Sequence, residues 1–220
     1  MGLMILGDLW QLFEREVFPV RPPEGLFNPY AQQKAGADRA GAARIRQRNL
    51  RLYCESFPAR PEILIVGEAP GPRGCRFSGV PFTSEAQFAT GELPFGGTPS
   101  SSDGPHSETS AAVFWKVLGA AHPRFFVWNA LPFYPHRPDD FSALRSPRGA
   151  EIEHYAPLLG SIIACVRPGR ILAVGRVAER AVFHTGYTPL YVRHPSHGGA
   201  ARFADGMAQI FSLRSVQSEG

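Results

Sequence analysis

The sequence predicts an α/β fold, a three-layer α/β/α sandwich around a central four-stranded parallel sheet. Three observations carry this expectation. Four short, β-rich apolar runs, EILIVG at 62–67, FFVWN at 125–129, RILAVG at 170–175 and the shorter LYVR at 190–193, alternate with segments of helical spacing. Strands that alternate with helices build parallel sheets through right-handed crossovers. Three of the runs lead into a polar residue, Glu68, Asn129 and His194, which such a sheet would bring to its carboxyl edge, where α/β folds bind ligands.

The bulk numbers suit that architecture. With 220 residues, 44% hydrophobic and 19% charged, the chain is expected to form one domain over 1–220, with 1–60 as an N-terminal helical part. Lys plus Arg is 23 against 19 for Asp plus Glu, a net charge of +4 and a mild bias toward polyanions. Lys34 and Lys116 are the only lysines, so the basicity is carried by arginine forks, which suit phosphate but also accompany GC-rich coding. Cys54, Cys75 and Cys165 are odd in number and far apart, which speaks against both a metal knuckle and a disulfide scaffold and for a reducing interior. The apolar run at 2–7 is short and meets Asp8, so neither a signal peptide nor a membrane span is expected. A soluble, cytoplasmic monomer with no membrane association follows.

In chain order, 8–17 align Leu9, Leu12, Phe13 and Val17 after Asp8 as N-cap, and Pro19, Pro22 and Pro23 end the helix. Residues 34–57 read as a basic amphipathic helix with Arg39, Arg44, Arg46, Arg48 and Arg51. This is either a solvated outer face on a helix packed through Ile45, Leu52 and Tyr53 or a phosphate-facing stripe. After the first strand, 83–93 suggest a short helix capped by Thr83 or Ser84. The PFGGTPSSSDGPH segment at 94–106 lacks periodicity and reads as a mobile surface loop. Helices follow at 107–121, 148–165 and 177–184, and a last one runs through Phe203, Met207, Ile210 and Phe211.

Chemistry is expected in the loop after the first strand. Gly67, Pro70, Gly71, Pro72 and Gly74 allow close backbone approach while keeping the loop stiff. No Gly-Lys-Ser/Thr follows, so a phosphate loop is excluded, and the spacing does not match the dinucleotide fingerprint.

Together, a strand ending in GEAPG, a GVPF element downstream, a central strand ending in Asn129 and a late strand ending in HPS resemble the uracil-DNA glycosylase superfamily over 63–211, most closely its family 4 and family 5 branches. The resemblance implies a DNA repair enzyme of base excision that hydrolyses the N-glycosidic bond of uracil in single- or double-stranded DNA and leaves an abasic site, with no metal or organic cofactor. His194 would donate to uracil O2 as charge builds there, and Asn129 would accept from N3–H and donate to O4, a pattern that cytosine reverses. Phe82 of GVPF would stack on the flipped base, and the backbone of Gly67, Ala69, Pro70 and Gly71 would line its pocket. Ser84, Ser196, Gly198 and Gly199 would offer donors to a neighbouring phosphate.

The chain also departs from the family pattern. Family 4 holds an iron-sulfur cluster on four cysteines, and three scattered ones imply none here. In the best-known branch the position matching Ala69 is an Asp that orients the attacking water, and that matching Gly71 is a Tyr that shuts out the thymine methyl. With both missing, Glu68 becomes the candidate to hold the water or the base. Two other functions stay open: a uracil-DNA binding or trapping protein with little turnover, and a glycosylase for another deaminated base such as hypoxanthine or xanthine. His197, Gly198 and Gly199 stand where an apolar wedge is expected, so a wedge would come from Arg202, Phe203 or 94–106.

Overall fold

A computed structural model describes residues 6–212. Its elements are α1 (Gly7–Glu16), β1 (Leu26–Phe27), α2 (Ala42–Glu55), β2 (Ile63–Gly67), α3 (Cys75–Ser78), α4 (Glu85–Thr90), α5 (Thr109–Leu118) with a 3-10 turn at Gly119–Ala121, β3 (Phe125–Asn129), β4 (Tyr134–Pro135), α6 (Gly149–Val166), β5 (Arg170–Val174), α7 (Arg176–His184), β6 (Leu190–Val192) and α8 (Ala200–Ser212). The strands β3-β2-β5-β6 form the expected four-stranded sheet, all parallel. A small antiparallel ribbon, β1 with β4, is an addition that its two-residue strands hid from pattern reading.

Alternation along β3 assigns the layers. Phe125 faces Phe114 and Trp115 of α5 and Phe211 of α8, whereas Trp128 faces the other way and stacks on Phe13 of α1 at 4.5 Å. Helix α6 packs on both α1 and α7, and α7 also lies on β2 and β5. Phe13, Tyr30 and Tyr53 join the same core as the strands. Tyr53 also covers a sheet edge, because its hydroxyl accepts the β3 amide of Val127 at 2.9 Å.

The chain enters β2, crosses to β3 on one side and returns to β5 on the other. This arrangement opens the crevice beyond the carboxyl ends of β2 and β5, where open α/β sheets seat ligands. Register places Gly67 beside Asn129 at that edge.

Two expectations change. The basic helix starts at Ala42 rather than 34, because Gly41 turns the chain at φ +75° and Asp38 is committed elsewhere. Its carboxylate, fully buried, meets Arg46 Nη2 at 2.7 Å and Arg76 Nη1 at 3.1 Å. Arg46 therefore belongs to neither a solvated face nor a phosphate stripe. It donates to Ser100 Oγ and to the carbonyl oxygens of Pro29 and Gln32, which gives a buried guanidinium the partners it requires. Arg44, Arg48 and Arg51 are exposed, and the helix packs through Ala42, Arg46, Asn49, Leu50, Tyr53 and Cys54.

Residues 94–106 are not a mobile loop. Glu85, fully buried, accepts from the amides of Ser100, Ser101 and His106 at 2.5, 2.9 and 3.1 Å and from Ser101 Oγ at 2.5 Å. Asn49 binds both sides of Thr98, and Phe95 packs on Tyr53. The segment is a strap whose hydrogen-bond partners lie far away in sequence.

Glu85→Ala would leave these donors buried without an acceptor. It should lower unfolding stability by about 3 kcal/mol and speed amide exchange at Ser100, Ser101 and His106 relative to β2. Unchanged exchange at these amides would contradict the strap.

Candidate active site

Asn129 is buried at the end of β3, and Gly67 is its neighbour on β2. A Cβ on Gly67 would fall 2.6 Å from Asn129 Oδ1 and 2.6 Å from the Phe82 ring. Only glycine lets both side chains close over the strand end. Asn129 Nδ2 points the other way, toward Cys75 Sγ at 3.9 Å, so the amide lies with its oxygen toward β2 and its nitrogen toward α3.

Phe82 has a backbone φ of +50°, a left-handed conformation that a residue with a Cβ adopts at a cost of order 1–3 kcal/mol. Surrounding contacts hold it there. Its ring stacks on Phe114 at 4.6 Å and 12°, and His194 stands 5.7 Å away, centroid to centroid. Phe82 therefore joins two distant strand ends, with Gly67 and Asn129 on one side and His194 on the other. One face of the ring thus packs on α5.

His194 follows β6 and is partly buried. Its Nδ1 lies 3.1 Å from the Ser196 amide and 2.7 Å from Ser196 Oγ. A backbone N–H can only donate, so Nδ1 accepts and the ring proton sits on Nε2. Burial pushes the pKa down to about 4, and Arg193 and His197 add to the effect. The residue is thus a neutral imidazole with an Nε2–H donor. Gly175, at φ +92°, takes the left-handed backbone that turns the chain out of β5 beside His194.

Glu68 is partly buried just after β2, with its carbonyl accepting from the Leu131 amide at 3.0 Å. Burial raises its pKa, and Arg180 of α7 opposes the rise. It is a carboxylate at the carboxyl end of β2 that binds protons more readily than an exposed glutamate. Ala69 and Gly71 are partly exposed beside it and Pro70 is buried, as the loop requires.

The four candidate phosphate contacts separate. Ser84 is 1% exposed and serves as the cap of α4, with its amide and hydroxyl both directed at Gln87 Oε1, so it leaves the set. The Ser196 hydroxyl is spent on His194, where it positions the ring. Gly199 is buried and its amide already donates to the Ser196 carbonyl at 3.0 Å, so it leaves the set too, whereas Gly198 is exposed at φ +73° just before α8. Sequence reasoning missed Cys75, Phe114, Arg180 and Glu108, which the fold brings to this edge.

The cysteines do not fit an iron-sulfur cluster. Cys54 and Cys75 are buried with thiols pushed up by desolvation, and among the described residues no three His, Cys, Asp or Glu side chains converge as metal ligands.

A family model described as the uracil DNA glycosylase superfamily matches residues 54–213. Among solved structures, wild-type SMUG2 of Pedobacter heparinus is similar with a TM-score of 0.64 at 14% identity, covering 99% of this chain and 100% of that one, a likeness of fold. A search of curated proteins finds no match.

The tautomer can be read directly. Nitrogen-detected NMR of His194 should give a neutral ring protonated at Nε2 down to near pH 4, and the Ser196→Pro variant, which removes the amide, should lose the single tautomer. A ring that titrates near 6.5 would contradict the geometry.

Proposed function

The chain belongs to the uracil DNA glycosylase superfamily, and on that footing we propose that it removes uracil from DNA by hydrolysing the N-glycosidic bond, leaving an abasic site. The observation that supports this most is the pairing, across Phe82, of the Asn129 amide with a neutral Nε2–H imidazole at opposite ends of one sheet edge.

Cleavage breaks the bond between C1′ and N1, and the electron pair leaves with the base as a uracil anion. Charge gathers on O2, and the hydrogen bond from the neutral His194 Nε2–H strengthens as that acceptor gains charge, with no prior ionisation of the ring. Asn129 Oδ1 takes N3–H and Nδ2 gives to O4, so cytosine would leave two buried groups facing like partners. Stacking on Phe82 holds the flipped ring, with about 0.5–1.5 kcal/mol beyond area burial. Water then adds to C1′, and its proton passes to Glu68, whose raised pKa suits it as an acceptor near neutrality. The N1 anion takes a proton from solvent. With Ala69 where the best-known branch has an aspartate, Glu68 is the carboxylate that the loop itself carries. On this reading the enzyme acts as a cytoplasmic monomer without cofactor.

Release of uracil from labelled single-uracil strands, alone and opposite G or A, tests the reading. Wild type should yield alkali-labile sites, and Asn129→Ala and His194→Ala should each lower the rate by about 10²–10³. No base release from any uracil strand would overturn it.

Glu68→Gln should depress the single-turnover rate while binding to uracil DNA stays within a few-fold. Because burial raises the Glu68 pKa, the wild-type rate should fall on its acid side above the ordinary glutamate value of about 4.3. His194 stays neutral through that window, so Glu68→Gln should abolish the limb. A limb retained in the variant would remove Glu68 from the mechanism.

A further inference from the structure

Glu108 is the one buried carboxyl at the site that the mechanism leaves unused. It precedes α5, far in sequence from the GEAPG loop, yet its carboxylate lies against the backbone of that loop. A Cβ on Gly71 would overlap Glu108 Oε2, and one on Gly74 would come within 2.5 Å of it. The amides of Arg73 and Gly74 face the carboxylate, and Ser110 Oγ donates to Oε1 at 2.6 Å. Its negative charge is felt at Cys75, whose Sγ accepts from Asn129 Nδ2.

These contacts fix a direction. Asn129 presents Oδ1 toward Gly67 and Nδ2 toward Cys75. A base read by this amide has N3–H at Oδ1 and O4 at Nδ2, so its O4 side faces Cys75. The next ring atom beyond O4 is C5. Glu108, pressed onto Gly71 and Gly74 and near enough to Cys75 to act on it electrostatically, is thereby placed on the O4 and C5 flank of the base.

We propose that Glu108 is a specificity-determining residue that closes the pocket against pyrimidines substituted at C5. The inference rests on the uracil reading and adds to it the group that fills the space left by a side-chain-free Gly71. Glycines at 71 and 74 are needed for the carboxyl to reach this place, where Ser110 Oγ donates to Oε1 and Oε2 is buried against the loop without a hydrogen-bond partner among the described residues. Burial raises its pKa, which lowers the cost of a carboxyl facing the apolar C5 edge.

The test is single-turnover release of uracil, 5-fluorouracil, 5-bromouracil and thymine, each opposite G, by wild type, Glu108→Ala and Glu108→Asp. Wild type should slow steeply as the C5 group grows. Glu108→Ala should raise the thymine-to-uracil ratio by about 10-fold or more, the range a single methyl is worth in a shaped pocket. Glu108→Asp keeps a carboxylate at the residue before α5 while withdrawing it by one methylene, so it should raise the ratio less and guards against a misfolded alanine variant. Variants that excise uracil normally and keep the wild-type ratio would overturn the inference alone. Wild type that releases none of the four bases would instead overturn the uracil reading beneath it.

Discussion

The site depends on the bare backbone of Gly67. Two side chains from different parts of the chain, Asn129 and Phe82, occupy the volume that any Cβ at this position would need. The amide is thereby brought to the edge of a ring platform instead of being held off by a strand side chain. Parallel register sets the rest, since Gly67 and Asn129 are paired across β2 and β3. One missing methyl group thus converts a sheet edge into a recognition surface.

Phe82 in turn depends on elements remote from the chemistry. The segment that carries it is held by Tyr30, whose hydroxyl donates to the Gly79 carbonyl at 2.8 Å, and by Asn49, which donates to the Ser78 carbonyl at 2.8 Å. Ser100 of the strap donates to the Phe77 carbonyl at 2.7 Å. Gly79, at φ +76°, packs directly on the backbone of Arg46. The N-terminal helices and the strap therefore share one task, which is to fix a left-handed phenylalanine against Phe114. The buried cluster of Asp38, Arg46, Arg76 and Glu85 belongs to this scaffold. Such charges stabilise little in net terms, but breaking one strands the others in a low-dielectric interior.

Much of this was legible in the sequence. The strands β2 and β3 fall where apolar β-rich runs meet Gly67 and Asn129, because a strand buried on both faces needs an unbroken apolar run and its end needs a residue that tolerates the loop. The polar strand ends followed from the parallel arrangement. What pattern reading lost were partners distant in sequence. Composition marks 94–106 as unstructured, yet Glu85 supplies the acceptor that orders it. Spacing marks Arg46 as one of a basic stripe, yet Asp38 buries it. Ser84 and Ser196 have the chemistry of phosphate ligands, but local geometry spends them on Gln87 and His194. Glu108 carried no signal of its own; the paired glycines at 71 and 74 were the only hint that something approaches that loop.

Desolvation sets the electrostatics of the edge, and it acts in opposite directions on its members. It keeps His194 neutral and holds protons more tightly on Glu68 and Glu108, so imidazole and carboxyls are all biased toward their uncharged forms. A neutral donor at one end of a base and an oriented amide at the other define a single way for uracil to sit. The most direct measurement is a crystal structure with duplex DNA carrying 2′-fluoro-2′-deoxyuridine, whose glycosidic bond resists cleavage. The account predicts a flipped uracil on Phe82 with O2 at His194 Nε2 and O4 at Asn129 Nδ2. A base stacked within the duplex, or a ring turned so that O4 meets His194, would contradict it.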